Sequence, residues 1–272
     1  MSDPRLTPAN GRAAHVSLRG RVDAPRYTEG AAARVTAPLV DLCRTPGGAR
    51  ERQLLFGDDV LVIDRHEGWA FLRAQKDGFC GYLPEPALGP ARAPTHWVMA
   101  PASHLYPEAR VQARETAVLP FGARITVAGI TGKFAETPEG FVPLAHLREI
   151  GAALADPVAV AETFLGTPYL WGGNSRWGID CSGLVQGALL ACGIACPGDS
   201  DLQESIGREI PPDASPRPGD LLFWKGHVAM VADSERIIHA TGHYMATVHE
   251  NTLAAIDRIA AQGQPVIARR RL

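Results

Sequence analysis

Short apolar runs separated by glycine-containing turns mark the first half of the chain. The run LLFGDDVLVI at 54–63 is echoed by VLPFGARITV at 118–127, about 65 residues later, and such self-similarity indicates two copies of one unit. The apolar positions in these runs show no helical periodicity, so the runs are predicted as β-strands. Strands this short need a closed or sandwiched sheet to bury one face. We therefore predict two small β-barrels, over 34–90 and 94–150, after an arm at 1–33 with few apolar residues.

The hydrophobic pattern becomes helical after Asp156. Asp156 and Pro157 supply an N-cap and a first-turn proline for a helix that continues to Leu165. A second apolar face with helical spacing begins at Cys181 or Ser182 and ends before a glycine at 193.

Strand-like runs follow these two helices at 220–224, 228–231, 237–240 and 266–269. Helices followed by antiparallel strands predict an α+β domain over 152–272. The predicted architecture is therefore multi-domain, with two small barrels ahead of an α+β domain.

Composition and charge narrow the classes of partner. The chain has 272 residues, 46% of them hydrophobic, and a net charge of −2, which gives no general field for nucleic acid or an anionic membrane. Neither a secretory signal nor an apolar run of roughly 18 residues is evident. We expect a cytoplasmic protein without a nucleic-acid or membrane partner.

The cysteines predict neither disulfides nor a metal site. An odd, sparse set of five in a long chain is not a disulfide framework. Cys192 and Cys196 lack metal-ligand spacing and clustered histidines, and Cys43 and Cys80 favour core packing. No metal and no cofactor are expected.

Cys181 stands where a nucleophilic thiol is favoured. The first turn of a helix presents free N–H groups and positive dipole, which can lower a cysteine pKa from ~8.5 to ~3.5–7.5. Asp180 opposes this shift by its charge, so a cationic partner is needed, and histidine is the usual one.

Two histidines lie on a predicted hairpin. Opposed positions of an antiparallel pair have a constant sum, and a three-residue loop that pairs Val231 with Glu235 sets it at 466. His227 and His239 have the same sum, so their rings should face each other across the hairpin, with Cβ atoms ~5 Å apart. A one-residue slip would send them to opposite faces.

Thiol protease chemistry assigns the roles. Cys181 attacks a carbonyl, His227 takes the thiol proton and later gives it to the leaving amine, and His239 sets the tautomer of His227. The backbone N–H of Cys181 and the phenol of Tyr169 are the expected oxyanion donors.

Three blocks carry a resemblance to a known family. GTPYLWGGNSRWGIDCSGLVQGALLACGI (166–194), RPGDLLFWKGHVAMVAD (217–233) and RIIHATG (236–242) resemble the NlpC/p60 family of papain-like cysteine peptidases. The resemblance implies catalytic residues Cys181, His227, His239 and Tyr169, and cleavage between γ-linked D-glutamate and a diamino acid in bacterial cell-wall stem peptides.

The two barrels look like bacterial SH3-like domains, and this arrangement resembles murein-recycling enzymes that require a free N-terminal L-alanine. There, acidic and aromatic side chains hold the peptide's ammonium group. The resemblance places this role on Asp180, with Ser182 beside the nucleophile, on Glu51 in the first barrel, and on Phe79 or Tyr82. A carboxylate in a closed pocket selects a charged amine over a blocked one.

We therefore predict a monomeric γ-D-glutamyl–diamino acid endopeptidase that acts on L-Ala-γ-D-Glu-diamino acid peptides in cell-wall recycling. One alternative is a wall-directed peptidoglycan hydrolase that cuts attached peptides, and another is a catalytically idle module that binds wall peptides. An acyltransferase would keep the chemistry but change the acceptor. The sequence leaves open whether the diamino acid is diaminopimelate or lysine.

Overall fold

The structure, a computed structural model, describes residues 3–211 and 214–272. The chain divides into two compact units, Met1–Ala152 and Ala153–Leu272. Both are rich in strands, as the apolar pattern predicts. Residues 1 and 2 of the predicted arm lie outside the described residues. The finer division of the first unit at residues 33 and 94 stays a prediction.

Short strands that follow one another closely build the first unit. In chain order, β1 to β17 span Ala14–His15, Tyr27–Thr28, Ala31–Val35, Leu39–Cys43, Arg50–Leu55, Asp59–His66, Trp69–Ala74, Cys80–Pro84, Leu88–Pro90, His96–Val98, Ala102–Leu105, Ala117–Pro120, Arg124–Ile125, Gly129–Thr131, Phe134–Thr137, Gly140–Pro143 and Leu147–Glu149. Short 3-10 helices lie at Pro4–Leu6, Val16–Leu18, Glu85–Ala87 and Leu144–His146.

The larger sheet of this unit has the strand order β5-β4-β8-β7-β6-β3-β9. Its neighbouring strands are antiparallel. Alternate side chains point to one face and form a core that includes Leu42, Leu54, Leu72, Phe79 and Leu83. This burial explains why the sequence reads as apolar runs interrupted by polar positions.

A second core in the same unit belongs to the echoed half of the repeat. It gathers Val98, Leu119, Ile125 and Val142 from the smaller sheets β13-β10-β17, β11-β12 and β14-β15-β16, and it also takes in Phe56 from the first half. The local geometry therefore agrees with the repeat seen in the sequence. The count of two barrels stays a prediction.

The N-terminal segment is anchored to the larger sheet. Strands β1 and β2 pair in parallel, and Ala13 packs against Ile63 and Phe71. Arg12 and Arg26 contact the carboxylate of Asp64 at 3.0 and 2.6 Å. The segment is thus attached to the sheet by specific contacts that its composition does not predict, while its bounds as an arm stay a prediction.

The second unit combines helices with one main sheet. Helices α1 to α4 span Pro157–Glu162, Cys181–Ala191, Ser200–Gln203 and Thr252–Ala260. Strands β18 to β25 span Asn174–Ser175, Gly178–Ile179, Arg208–Glu209, Leu221–Trp224, His227–Val231, Arg236–Thr241, Ala246–Asn251 and Ala268–Arg271. The main sheet has the order β20-β25-β21-β22-β23-β24. Helix α2 contacts β22 and β23, while Ala255 and Ile259 of α4 join a core with Trp224.

The two predicted helices are present. Asp156 caps α1 by accepting hydrogen bonds from the N–H groups of Val158 and Ala159, although α1 ends at Glu162 rather than Leu165. Helix α2 begins at Cys181 and ends before Gly193, which has a φ of +73°. Helix α4 was not predicted, although Asn251 at its start accepts a hydrogen bond from the N–H of Ala254 and is a recognisable N-cap.

The hairpin β22–β23 differs from the predicted register by two positions. Met230 pairs with Ile238 and Val231 with Ile237, so paired residue numbers add to 468 rather than 466. The turn is longer than expected because the N–H groups of Ala232 and Asp233 both donate to the carbonyl of Arg236. A shift of two residues keeps each side chain on its face, so the two histidines meet diagonally instead of directly opposite.

Gly57 is predicted to be the least replaceable glycine of the repeat. Its φ is +78°, and a Cβ at this position would lie 1.9 Å from the carbonyl oxygen of Arg124. We expect Gly57→Ala to lower the free energy of unfolding by about 3 kcal/mol, combining left-handed strain with overpacking. The measurement is chemical denaturation of the whole chain.

Gly68 is the matched control, because its φ is +79° but a Cβ at this position would have no atom within 4 Å. Gly68→Ala should cost only about 1 kcal/mol. Equal losses for the two variants would contradict the close approach at Gly57.

Candidate active site

Cys181 occupies the first position of helix α2. The residue is 6% exposed, and the backbone N–H groups of Val228, Ser182 and Cys181 itself are close enough to favour its thiolate. Val228 follows His227 directly on β22, so the sulfur lies against the strand that carries the predicted base. The structure therefore brings the helix start and this strand together, as the sequence predicts.

Asp180 is the N-cap of the same helix. Its Oδ1 accepts hydrogen bonds from the N–H of Gly183 at 2.7 Å and from the hydroxyl of Ser182 at 3.0 Å. Its Oδ2 accepts from the N–H of Gly172 at 2.9 Å. This carboxylate therefore ties the loop before the helix to the helix start, a structural role that the sequence pattern did not reveal.

The two predicted histidines are in contact. Nε2 of His227 lies 3.0 Å from Nδ1 of His239, and the ring centroids are 5.2 Å apart. His239 is 1% exposed, which suits a residue that orients another ring. The prediction that they share one face of the sheet is confirmed, although their register is corrected to a diagonal one.

Glu250 is a neighbour of this pair that sequence reasoning missed. Its Oε2 lies 3.1 Å from Nε2 of His239. Strands β23 and β24 pair His239 with Val248, so Glu250 is again two positions away on the same face. The signal was available in the sequence TVHEN, whose alternation places Val248 and Glu250 together, but it required the pairing of β23 with β24.

Tyr169 lies beside the nucleophile. Its N–H donates to the carbonyl of Met245, and the residue bridges Ile179, which is two residues before Cys181. Burial raises the pKa of its phenol, and the nearby Cys181 and Asp180 raise it further. The phenol therefore stays protonated and able to donate a hydrogen bond.

The expected thiolate is not favoured in the free site. Burial, and then the charge of Asp180, raises the pKa of Cys181 to about 12 in spite of three helping N–H groups. Burial also lowers the pKa of His227 to about 3. The sequence pattern reveals the helix dipole but not the desolvation, and these directions favour a neutral thiol beside a neutral imidazole.

Glu51, Phe79 and Tyr82 come together in the first unit. All three line a cavity of about 750 Å³ there. Glu51 Oε1 accepts a hydrogen bond from Nε of Arg44 at 2.7 Å. Phe79 is only 1% exposed and belongs to the core of the larger sheet, whereas Tyr82 is half-buried. Of the two aromatic candidates, Tyr82 is therefore the accessible one.

The described residues offer neither a metal site nor a membrane-spanning helix. Across residues 3–211 and 214–272, no group of three or more histidine, cysteine or acidic side chains is arranged to hold a metal ion. Within the same ranges, no helix has the length and apolarity needed to span a membrane.

Two family models match the chain. A model of the NlpC/P60 family matches residues 166–257, and a model described as a bacterial dipeptidyl-peptidase Sh3 domain matches residues 42–88. The first match contains Cys181, His227, His239 and Glu250. The second lies within the predicted first barrel and supports an SH3 domain there.

One relative extends across both units, and a second matches a shorter part of the chain. The gamma-D-glutamyl-L-lysine dipeptidyl-peptidase of Bacillus subtilis (strain 168) is 29% identical over 243 residues, which make up 76% of this chain and 80% of that protein. The probable endopeptidase NlpC of Escherichia coli (strain K12) is 33% identical over 105 residues, 33% of this chain and 68% of that protein.

A solved structure shows the same fold. The crystal structure of an NlpC/P60 family protein from Bacillus cereus ATCC 10987 matches with a TM-score of 0.74 and 20% identity, covering 89% of this chain and 99% of that chain.

The contacts of Asp180 generate a stability prediction. Asp180→Ala removes the acceptor of two N–H groups and one hydroxyl, so we expect a loss of about 2 kcal/mol in the free energy of unfolding. Asp180→Asn keeps one acceptor oxygen and should lose about half as much. Denaturation followed by tryptophan fluorescence measures both.

Asp156→Ala is the matched control, since Asp156 caps α1 through two N–H groups without a link to a preceding loop of the kind Asp180 makes with Gly172. It should cost about 1 kcal/mol. If Asp180→Ala were no more damaging than Asp156→Ala, the link to Gly172 would contribute nothing.

Proposed function

The chain belongs to the NlpC/P60 family and is a cysteine peptidase, and we propose that it hydrolyses the bond between γ-linked D-glutamate and a diamino acid in peptidoglycan-derived peptides. The observation that carries this proposal is the contact with His239 that is made by His227, which lies on the strand against Cys181. A buried thiol at a helix start, an imidazole on the adjoining strand and a second imidazole behind it form the three-part arrangement of nucleophile, base and orienting group.

The proposed reaction begins in a single step, in which His227 accepts the thiol proton of Cys181 while the sulfur attacks the substrate. The sulfur attacks the γ-carbonyl carbon of D-glutamate and forms a tetrahedral oxyanion, which the backbone N–H of Cys181 and the phenol of Tyr169 stabilise. His227 then gives its proton to the leaving amine, the C–N bond breaks, and a thioester remains. Water, deprotonated by His227, hydrolyses the thioester and restores the thiol.

The neutral state of Cys181 and His227 before the reaction affects the order of these steps. Because burial disfavours both the thiolate and the imidazolium, proton transfer must accompany attack on the carbonyl rather than precede it. His239 supports the transfer by holding His227 in one orientation.

The names of relatives support the substrate class. The Bacillus subtilis relative is named for the γ-D-glutamyl-L-lysine bond, which favours a peptide of that linkage as substrate here. We keep diaminopimelate and lysine as the two candidates for the amine side of the bond.

We further propose that the substrate carries a free N-terminal L-alanine. Asp180 is a carboxylate next to the nucleophile, and a carboxylate favours a charged ammonium over an amide. In the first unit, Glu51 and Tyr82 are the candidates for the same preference, because both line its cavity. The proposal also includes a role in cell-wall peptide recycling, a cytoplasmic location and a monomeric state. Cell fractionation tests the location, and sedimentation of the full chain tests the monomeric state.

The decisive assay for the proposed function uses matched peptides. Purified full-length protein should cleave L-Ala-γ-D-Glu-diaminopimelate or its lysine counterpart and release L-Ala-D-Glu, whereas N-acetylation of the alanine should lower kcat/KM by about 100-fold, as expected for loss of one charge-assisted contact. Cys181→Ala is the inactive control. Cleavage of intact sacculi at a comparable rate would instead favour a wall-directed hydrolase, and binding without cleavage would favour an idle module.

The role of Asp180 in this preference is separable from its capping role. Asp180→Asn keeps a capping oxygen but removes the charge, so it should reduce kcat/KM on the free peptide while leaving the slow cleavage of the acetylated peptide nearly unchanged. An equal loss on both peptides would show that Asp180 acts only through helix α2.

The expected pH dependence of kcat/KM follows from the lowered pKa of His227. Burial lowers the pKa of His227 from its usual 6.5 to about 3, so the ring remains an unprotonated base in weakly acidic solution. We expect kcat/KM to stay level through pH 6 and to fall only well below it. An inflection at or above pH 6.5 would contradict a buried, neutral His227.

A further inference from the structure

We propose that Glu250, paired with Arg258, is a positioning residue that sets the tautomer of His239 and, through it, the tautomer of His227. This inference rests on the proposed function of His227 as the base. It extends the predicted triad by two residues from elements that the sequence pattern did not connect with the site, strand β24 and helix α4.

Polar side chains surround the carboxylate of Glu250. Nε and a terminal nitrogen of Arg258 donate to Oε1 and Oε2 at 2.9 and 2.7 Å. The hydroxyl of Tyr244 donates to Oε1 at 3.4 Å. The remaining approach is from His239, whose Nε2 lies 3.1 Å from Oε2. The side chain of Glu250 is 8% exposed, so these groups replace water around it.

His239 has one good place for its ring proton. Its Nε2 is buried 3.1 Å from a carboxylate oxygen of Glu250, which is close enough for the carboxylate charge to act on a ring proton although the geometry is not that of a regular hydrogen bond. A lone pair on Nε2 would instead face a negative charge, which is repulsive. The neutral ring should therefore carry its proton on Nε2 and present a lone pair on Nδ1.

The same reasoning predicts the tautomer of His227. Nδ1 of His239 lies 3.0 Å from Nε2 of His227, and a bare Nδ1 requires that Nε2 of His227 carry the proton. A neutral His227 then has its lone pair on Nδ1, the nitrogen left to accept the proton of Cys181. One carboxylate thus determines the proton positions on two rings.

Arg258 reduces the tendency of the Glu250 carboxylate to protonate His239, so that Glu250 can set the tautomer of a neutral ring. The groups that face His239 are Glu250 from β24, Arg258 from α4, His227 from β22 and the nearby His243. Burial lowers the pKa of His239 to about 4, and the opposing effects of Glu250 and Arg258 partly cancel. Because burial disfavours the imidazolium and the guanidinium offsets the carboxylate charge, His239 remains a neutral ring with a carboxylate oxygen beside Nε2.

The competing interpretation is that the Glu250–Arg258 pair only attaches α4 to the sheet. Two double variants separate the possibilities. Glu250→Gln with Arg258→Met keeps an acceptor oxygen at position 250, whereas Glu250→Met with Arg258→Met removes it. Gln and Met have similar size, and neither variant leaves an unpaired buried charge. The two proteins therefore differ mainly in the acceptor.

Three measurements on the full chain serve as readouts. The ¹⁵N shifts of the histidine rings report the tautomers, and the rate of Cys181 alkylation by iodoacetamide across pH reports proton transfer from the thiol. Neither needs a substrate, so failure of the proposed peptide specificity would not affect them. The third readout is kcat and KM on the free peptide.

The expected results are specific. In the wild type, both His227 and His239 carry their proton on Nε2. The Gln-containing variant keeps these tautomers and much of the activity. The Met-containing variant mixes them, and its kcat and neutral-pH alkylation rate fall by about 100-fold with little change in KM, as for loss of general base catalysis. Asp220→Asn, which breaks the comparably buried Asp220–Arg271 pair, lowers stability without changing the tautomers.

Other results would overturn the inference. Equal losses in the two double variants would show a purely structural pair, and so would a Met-containing variant with unchanged tautomers. If that variant does not fold, the wild-type spectrum alone decides, because a proton on Nδ1 of His239 excludes the proposed relay.

Discussion

The contact between His227 and His239 is the interaction on which the rest of the site depends. A single imidazole on a strand has several allowed orientations, because its terminal torsion is broad. The 3.0 Å approach of two ring nitrogens restricts both rings at once. The sheet permits this because side chains on adjacent strands share a face at fixed spacings, and Glu250 continues the same diagonal onto the next strand. The base is thus held by the sheet, while helix α2 holds the nucleophile.

Burial determines the electrostatics of this arrangement. It raises the pKa of Cys181 and lowers those of His227 and His239, so the free site favours neutral groups. Asp180 is compatible with such a site because backbone N–H groups and a hydroxyl donate hydrogen bonds to its carboxylate at the helix start. Glu250 is compatible because Arg258 neutralises it. The charged residues around the thiol are therefore each stabilised by specific contacts, and the reaction itself supplies the charge separation.

Prediction from sequence succeeded where the determining interactions are local. The cap at Asp156 and the stop at Gly193 follow from the backbone needs of a helix end, so α1 and α2 were located. The paired face of the two histidines was also predictable, because an even register error leaves a side chain on the same side. The exact hairpin register was wrong, since the turn at Ala232 and Asp233 uses hydrogen bonds that its residue types do not specify uniquely. Helix α4 was missed, and with it Arg258.

The sequence alone determined the chemistry available to this protein: a thiol at a helix start, two histidines on one hairpin and a family signature across three blocks. Tertiary structure decided how strongly each group is buried and which groups lie two positions apart on neighbouring strands. It thereby reversed the expected direction of the Cys181 pKa, linked Asp180 to Gly172 and placed Glu250 behind His239. The physical reason is that desolvation and cross-strand contact depend on elements distant in the chain, whereas capping and side-chain alternation depend on neighbours in sequence.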